Sequence, residues 1–181
     1  MSKALFLDRD GIINIDHGYV YKSEDFEFVD GIFELCAKAN KLDYHIYVIT
    51  NQSGIGRGMY SEEQFLQLSD WMISQFKQRG VSIEQVYYCP HHPQKGVADY
   101  KQHCQCRKPE PGMILQAAKE HHIDLSASIF IGDKLSDMQA ANRAGVGKKV
   151  LVSSRYQQQD VSEQETDILN IESVRSFIAQ L

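Results

Sequence analysis

Strand signals and helix signals alternate along this chain, and that alternation limits its possible folds more than any other feature. Short apolar or β-branched runs are typical of buried strands. They are separated by stretches in which apolar residues recur at helical spacing. Because parallel strands need a helical crossover between them, the alternation predicts an α/β fold with a doubly wound parallel sheet. The predicted strands are residues 4–7, 45–50, 85–89, 128–131 and 149–152.

The predicted helices fill the intervals between these strands. They are residues 31–42, a segment that begins after Ser61, and residues 113–122, 136–144 and 170–181. Ser61 and Gln64 have the spacing of a capping box, and Gly80 and Gly145 are typical helix stops. The polar, Gln-rich residues 153–166 are predicted to form a surface loop.

Size and composition narrow the class of protein. A length of 181 residues predicts one domain, residues 1–181, and a net charge of −5 without a basic run argues against nucleic acid as a partner. No apolar stretch reaches the roughly 20 residues of a membrane span. The N-terminal residues lack a signal-peptide pattern, so we expect a cytoplasmic protein. Without a long exposed apolar stripe, we also expect a monomer.

Two carboxylates follow the first predicted strand. Asp8 and Asp10 are two residues apart, so their side chains point the same way if the strand continues. Like charges at that distance repel, which indicates either a metal site or a nucleophile with an acid/base partner. A solvated, Asp-rich turn is the alternative.

Other polar residues follow two further strands. Thr50 and Asn51 end the second strand, and Asp133 and Asp137 follow the fourth. In a doubly wound sheet, ligands bind outside the carboxyl ends of the strands. We therefore expect these side chains to meet Asp8 and Asp10 at one edge of the sheet.

The cysteines indicate a second metal site. Cys89-x-His91 and Cys104-x-Cys106 are separated by twelve residues and offer four ligands of the kind that structural zinc sites use. From spacing alone, His92 or His103 could replace His91. In a reducing compartment we expect a metal rather than disulfides. The sequence therefore predicts a zinc-binding loop inserted at residues 89–106.

Four segments resemble, in order, the four motifs of haloacid-dehalogenase-type (HAD-type) phosphohydrolases. They are Asp8-Arg9-Asp10-Gly11, Thr50-Asn51-Gln52-Ser53-Gly54, Arg107-Lys108-Pro109 and Gly132-Asp133-Lys134-Leu135-Ser136-Asp137. Three others resemble one branch, the heptose-bisphosphate and histidinol-phosphate phosphatases. They are Asp16-His17-Gly18-Tyr19, Cys89-Pro90-His91-His92-Pro93 and Cys104-Gln105-Cys106-Arg107-Lys108-Pro109.

This resemblance, which covers residues 4–152, implies a HAD-like, Rossmann-type fold with a small zinc-binding loop. The short segment of residues 12–30 leaves no room for a large cap domain. On the family pattern, His91 is the zinc ligand rather than its neighbours. The remaining cysteine, Cys36, lies on a helix face and is expected to be a buried apolar residue.

The resemblance also implies catalytic roles. Asp8 is the expected nucleophile and Asp10 the acid/base, while Thr50 and Lys108 contact the phosphoryl group. Magnesium is expected on Asp8, Asp133 and the backbone carbonyl of Asp10. Asp137 could cap a helix, orient a metal-bound water or bind the metal directly.

A further set of residues is expected to bind the substrate, a small phosphorylated sugar. The set is Asp16, His17, Gly18, Tyr19, Thr50, Asn51, Gln52, Ser53, Arg107, Lys108 and Lys134. Arg107 has a planar fork suited to a second anionic group.

The resemblance implies a magnesium-dependent phosphatase that removes the 7-phosphate of D-glycero-D-manno-heptose 1,7-bisphosphate in heptose supply for lipopolysaccharide. Two alternatives stay open: a histidinol-phosphate phosphatase of histidine biosynthesis, and a non-catalytic zinc-binding interaction module.

Overall fold

A computed structural model describes residues 1–153 and 167–181, and within those ranges the strands form one parallel sheet of six. The strands are β1 (Lys3–Leu7), β2 (Tyr44–Asn51), β3 (Gln85–Cys89), β4 (Ile129–Gly132), β5 (Lys148–Val152) and β6 (Ile168–Ile171). Their order across the sheet is β3-β2-β1-β4-β5-β6, and every pairing is parallel. The predicted doubly wound α/β fold is confirmed.

Helices cover both faces of this sheet. They are α1 (Ile32–Lys41), α2 (Ser53–Gly56), α3 (Glu62–Gln78), α4 (Gly112–His121), α5 (Leu135–Ala144) and α6 (Val174–Phe177). Short 3-10 turns lie at Ser23–Asp25, Ala98–Tyr100 and Ile178–Gln180. The longest helix, α3, begins at the predicted capping box, in which Ser61 and Gln64 exchange hydrogen bonds of 2.9 and 3.1 Å.

Side-chain alternation along the strands builds two apolar layers. Leu5 and Leu7 of β1 face the layer that contains α1, α3 and α6, whereas Phe6 faces the layer that contains α4 and α5. This follows from the period of two along a strand. Cys36 is fully buried in the first layer, as predicted. The central strands are therefore covered on both sides, and they hold the residues beyond their carboxyl ends in fixed positions.

The helix predicted for the C-terminal segment begins later than expected. Residues 170–181 were expected to form a helix, but Ile168–Ile171 forms β6 beside β5, and only the short helix α6 and a 3-10 turn follow. Val174, Phe177 and Ile178 have helical spacing, which explains the prediction, but its first residues, Asn170 and Ile171, belong to an edge strand. Of the loop predicted at 153–166, only Ser153 lies within the described residues.

The connections show where other structure could have been inserted. Between β1 and α1, residues 12–30 contain only the 3-10 turn Ser23–Asp25, so this connection holds no large cap domain. The connection from β3 to α4 carries Cys104 and Cys106, and Cys89 ends β3 just before it. Among the described residues, no helix is both long and apolar enough to cross a membrane.

Candidate active site

The candidate site lies where the strand order of the sheet reverses. Asp8 directly follows β1 and Asp133 directly follows the neighbouring strand β4. The Asp8 amide donates to the Ile131 carbonyl at 3.1 Å, which extends the ladder by one residue. A crevice at the carboxyl ends of the strands on either side of such a reversal is the usual ligand site of doubly wound folds.

Three carboxylates converge at this point. Oxygens of Asp8, Asp133 and Asp137 lie within 4.8 Å of one another, and all three residues are buried. Burial and the charge of Asp137 raise the pKa of Asp8 to about 6. Burial and the charges of Asp8 and Asp137 raise the pKa of Asp133 to about 8. Crowded oxygen donors of this kind fit a hard divalent cation such as Mg²⁺.

A glycine allows Asp133 to approach the loop after Asp10. Gly11 has a φ of +94°, and a Cβ atom there would lie 2.2 Å from Oδ2 of Asp133. Any other residue would therefore be strained and would also displace the carboxylate. The geometry of the acidic cluster therefore requires a glycine directly after Asp10.

Lys108 supplies positive charge inside the cluster. Its Nζ lies 3.0 Å from Asp8 Oδ1 and 2.7 Å from Asp137 Oδ1, and it also donates to the Ile49 carbonyl at 2.8 Å. Burial lowers the pKa of Lys108, but the charges of Asp137 and Asp8 outweigh it and the net shift is upward. The ammonium group is therefore charged at neutral pH.

The Asn51 side chain fixes the backbone of Lys108. The Lys108 amide donates to Asn51 Oδ1 at 3.0 Å, and Asn51 Nδ2 donates to the Lys108 carbonyl at 3.1 Å. These two hydrogen bonds attach the segment that carries Lys108 to the end of β2. Asn51 thus holds the lysine beside the acidic cluster.

Asp137 organises the first turn of α5. Its Oδ2 accepts hydrogen bonds of 3.1 Å from the backbone amides of Asp133 and Lys134. Its Oδ1 faces Lys108. Three roles were left open for Asp137, and these hydrogen bonds to backbone amides support helix capping.

Three side chains donate to the Asp10 carboxylate. Arg9 Nη2 lies 2.8 Å and Asn14 Nδ2 3.0 Å from Oδ1, while Gln52 Nε2 lies 3.0 Å from Oδ2. Burial raises the pKa of Asp10, but the Arg9 charge and these hydrogen bonds outweigh it and hold the pKa below its usual range. Asp10 is therefore ionised and held from both of its oxygens.

Gln52 is itself oriented by a tyrosine. Tyr60 donates its hydroxyl to Gln52 Oε1 at 2.5 Å, which turns the amide nitrogen toward Asp10 and toward Thr50 Oγ1, 2.8 Å away. Thr50 and Gln52 are buried. These hydrogen bonds therefore connect Thr50 to Tyr60 through Gln52, and both Tyr60 and Gln52 line an adjoining cleft.

A cleft of about 250 Å³ opens beside these residues. Seven of its lining residues were predicted to bind substrate, and six of them are Asp16, Gly18, Tyr19, Asn51, Gln52 and Ser53. A seventh is Lys134. Burial lowers its pKa, but Asp8 and Asp133 outweigh it, so the net shift is upward. Asp10 also lines the cleft and joins it to the acidic cluster.

Two residues predicted for substrate binding point elsewhere. Within the described part of the chain, neither His17 nor Arg107 lines the cleft, while the buried Thr50 and Lys108, which also do not line it, contact Gln52 and Asp8. The ring of His17 contacts Glu27 Oε2 at 2.9 Å on the surface. Arg107 Nη1 donates to the His91 carbonyl at 3.4 Å, so its guanidinium lies toward the cysteine-containing loop.

The four predicted zinc ligands lie together. Cys106 Sγ is 2.7 Å from Cys89 Sγ, 3.3 Å from Cys104 Sγ and 3.4 Å from His91 Nδ1. A zinc–sulfur distance of about 2.3 Å gives a tetrahedron with edges near 3.8 Å, so this Cys/His cluster can hold a metal ion after a small expansion. His92 uses its Nδ1 to accept from the amides of Gln94 and Lys95 and is not part of the cluster.

The loop that carries the Cys/His cluster contacts the active-site walls. The Gly56 amide, at the end of α2, donates to the Pro90 carbonyl at 3.1 Å, and the Tyr100 hydroxyl donates to Glu62 of α3 at 2.9 Å. Cys106 is separated from Lys108 by one residue. The cluster is therefore covalently close to the lysine of the acidic pocket.

Comparisons with known proteins identify the family. The chain is 51% identical over 166 residues to a protein of Photorhabdus laumondii named D-glycero-β-D-manno-heptose-1,7-bisphosphate 7-phosphatase, covering 92% of this chain and 88% of that one. A protein of Escherichia coli K12 with the same name is 52% identical over 149 residues, 82% of this chain and 78% of its own. The chain belongs to the heptose-bisphosphate phosphatase family. The resemblance stated from the motifs is confirmed.

Structural comparisons agree with this family. Residues 105–174 match a family model described as HAD-hydrolase-like. A D,D-heptose 1,7-bisphosphate phosphatase from B. bronchiseptica, complexed with magnesium and phosphate, superposes with a TM-score of 0.83 at 30% identity, over 98% of this chain and 97% of that one. A HAD-like phosphatase of Mesorhizobium loti gives 0.87 at 32% identity, over 99% and 83%.

In this member of the heptose-bisphosphate phosphatase family, sequence reasoning missed three residues of the site. Arg9 and Asn14 hold Asp10, and Tyr60 holds Gln52. Asn14 follows two buried isoleucines and is itself fully buried, so a polar residue within an apolar run was its signal. Tyr60 gave no comparable signal, because only the tertiary structure brings it to Gln52.

Proposed function

We propose that this chain is a magnesium-dependent phosphatase that hydrolyses the 7-phosphate of D-glycero-β-D-manno-heptose 1,7-bisphosphate through a phosphorylated Asp8. The observation that carries the proposal is the buried cluster of Asp8, Asp133 and Asp137 around Lys108, which adjoins a cleft lined by Asp10. The names of the relatives supply the substrate and the β anomer.

Asp8 is the nucleophile in this proposal. One carboxylate oxygen attacks phosphorus, the bond between phosphorus and the sugar oxygen breaks, and an aspartyl-phosphate forms. The hydrogen bonds from the Arg9 amide and from Lys108 both fall on Oδ1, so the two Asp8 oxygens lie in different environments. Lys108 also balances charge on the phosphoryl oxygens.

Asp10 carries the protons. It protonates the leaving alkoxide of the sugar and then accepts a proton from the water that hydrolyses the aspartyl-phosphate, which regenerates Asp8 and releases phosphate. The hydrogen bonds to Asp10 favour its ionised form. A dianionic phosphate next to it raises its pKa toward the protonated form that the first step needs.

The acidic cluster provides the magnesium ligands. Asp8 and Asp133 would hold Mg²⁺ with the backbone carbonyl of Asp10, and Asp137 lies close enough to orient the set. When bound, the ion supplies the positive charge that lets an anionic carboxylate meet an anionic ester. The crowded oxygens and their raised pKa values support this assignment.

The remaining predicted residues take their roles from position. In the proposal, Thr50, Asn51, Gln52, Ser53 and Lys134 surround the reacting phosphate and the sugar. Asp16, Gly18 and Tyr19 recognise the rest of the substrate from the cleft. His17 would have to turn away from Glu27 to join them, and Arg107 away from the His91 carbonyl to bind the second phosphate. Zinc on Cys89, His91, Cys104 and Cys106 stabilises the loop at 89–106.

The cellular setting is part of the same proposal. We expect one domain over residues 1–181, acting as a cytoplasmic monomer on a free phosphorylated sugar. Its product would serve the synthesis of nucleotide-activated heptose for lipopolysaccharide.

A substrate comparison tests the proposal. Phosphate release is measured with Mg²⁺ on the β and α anomers of the heptose bisphosphate and on histidinol phosphate, and ³¹P NMR identifies which phosphate leaves. We expect the β anomer to have the highest kcat/KM and to lose its 7-phosphate. Faster turnover of histidinol phosphate would contradict the sugar assignment, and no turnover of any of them would favour a zinc-binding interaction module.

A further inference from the structure

Arg9 is one of the most deeply buried charged side chains of the described residues. It is 1% exposed, and its guanidinium carbon lies 5.8 Å from the ring centres of both Phe26 and Phe65. Its Nη2 donates to Asp10 Oδ1 and to the Val20 carbonyl, each at 2.8 Å. Among the described residues, its Nε and Nη1 have no hydrogen-bond partner.

Packing alone does not account for an arginine at this position. A buried charge with unsatisfied donors carries a desolvation cost that an apolar side chain of similar length avoids. The two aromatic rings return part of that cost through cation–π contacts. The remaining gain must come from the one nitrogen, Nη2, that has polar partners.

Those two partners belong to different parts of the site. Asp10 lines the cleft and lies at the end of the motif that begins with Asp8. Val20 follows Gly18 and Tyr19, which also line the cleft. A single nitrogen therefore ties the Asp10 carboxylate to the backbone of the segment that borders the substrate.

Arg9 is also the one charged member of the set of side chains that donates to Asp10 in the described structure. Asn14 and Gln52 are neutral amides. All three bonds end on an ionised carboxylate and are charge-assisted, but only Arg9 adds a full positive charge, and its bond is the shortest of the three at 2.8 Å. Asn14 shares Oδ1 with Arg9, so without Arg9 that oxygen keeps only the weaker of its two restraints.

We propose that Arg9 is a positioning residue that aims the Asp10 carboxylate at the leaving oxygen of the substrate. The Arg9 side chain does not line the cleft, so its guanidinium acts on the substrate through Asp10. The inference rests on the proposed phosphatase function. It gives Arg9 a second role, which is to link the Asp10 carboxylate to the backbone of residues 18–20.

The test uses the dependence of rate on the leaving group. A sugar alkoxide needs a proton to depart, whereas nitrophenolate leaves without one, so only the first reaction requires a well-aimed Asp10. We compare kcat/KM for the heptose bisphosphate and for 4-nitrophenyl phosphate in the wild type and in Arg9→Met. Because kcat/KM covers the steps up to leaving-group departure, hydrolysis of the aspartyl-phosphate does not enter.

General acid–base catalysis contributes about 10²- to 10⁴-fold, and we expect Arg9→Met to lose about 10- to 100-fold of that on the sugar phosphate. The loss on 4-nitrophenyl phosphate should stay below about threefold. Arg9→Lys keeps the charge and should recover part of the difference. Arg79→Met is the matched control, since Arg79 lies 4.1 Å from the Phe33 ring at the exposed end of α3, away from the cleft.

The outcomes are separable. Equal losses on both substrates, or no loss on either, would overturn the inference and assign Arg9 to the fold alone. If Arg9→Met does not fold, Arg9→Lys takes its place, and an unchanged substrate ratio in that variant has the same meaning. If the wild type ignores the heptose bisphosphate but hydrolyses another alkyl phosphate, the proposed substrate fails, and the ratio is measured with that ester instead.

Discussion

The molecule has two candidate metal sites that differ in where their ligands come from and in how deeply they are buried. The acidic pocket combines Asp8, Lys108 and Asp133 from three separate elements, and its members are 2–5% exposed. The Cys/His cluster takes Cys89 from the end of β3 and its other three ligands from the connection that follows, and those three are only partly buried. The first is held by the sheet, whereas the second has to hold its own loop.

The two sites also differ in how their charges are balanced. In the acidic pocket Lys108 lies against two carboxylates, so part of the repulsion is balanced by the protein itself. In the Cys/His cluster the sulfur atoms are each other's neighbours, as close as 2.7 Å. The comparison predicts that the acidic pocket keeps its shape without an ion and that the Cys/His cluster does not.

The largest expected effect is the loss of the nucleophile. Asp8→Asn should reduce phosphate release by about 10³-fold or more, because an amide cannot form the aspartyl-phosphate. Its melting temperature and zinc content should match the wild type, since the sheet holds the pocket and Lys108 keeps its ion pair with Asp137. Phosphate release and zinc content measured on one preparation check this. Activity equal to the wild type would remove Asp8 from the mechanism.

The next effect concerns the internal cation. Lys108→Met leaves Asp8 and Asp137 facing each other in a buried site, so we expect a decrease in kcat of about 10²-fold. Breaking a buried ion pair should also lower the free energy of unfolding by about 3 kcal/mol in the absence of Mg²⁺. Urea unfolding with and without Mg²⁺ measures the second effect.

The matched control is Lys119→Met, on the exposed side of α4. It should change neither kcat nor stability by a measurable amount. If Lys108→Met were as stable as this control without Mg²⁺, then Lys108 would not balance the acidic pocket.

The third effect tests the Cys/His cluster. Removal of zinc, or Cys106→Ser, should expose the connection at 89–106 to proteolysis and lower kcat by about tenfold or more, because Lys108 lies two residues beyond Cys106. Zinc should restore the chelated wild type, and Mg²⁺ alone should not. Limited proteolysis followed by mass spectrometry locates the cuts. A zinc-free protein with an unchanged cleavage pattern would show that the fold, not the ion, orders the loop.

Much of both sites could be predicted from sequence, but for different reasons. Among the predicted zinc ligands, the three cysteines follow from local spacing, whereas the choice of His91 follows from the family resemblance. The acidic pocket follows from a topological rule, since Asp8 and Asp133 each come directly after a strand. Arg9 and Tyr60 could not be predicted, because their roles depend on which side chains the fold brings within 3 Å. Likewise β6 was missed, because an edge strand of four residues carries a weaker pattern than the helical spacing that follows it.

The smallest effect separates backbone strain from contact in the acidic pocket. Gly11 and Gly80 have similar φ values of +94° and +72°, but an added Cβ at Gly11 would meet Asp133 at 2.2 Å, whereas at Gly80 nothing lies within 4 Å. Both alanine variants carry the strain of a positive φ, about 1 kcal/mol. Only Gly11→Ala should also displace the Asp133 carboxylate, which raises the Mg²⁺ concentration for half-maximal activity by about tenfold, equivalent to roughly 1.4 kcal/mol. Magnesium titrations of both variants measure this difference. If Gly11→Ala and Gly80→Ala gave the same magnesium dependence, Asp133 would not need the space that Gly11 leaves. The close contact between Gly11 and Asp133 would then play no part in magnesium binding.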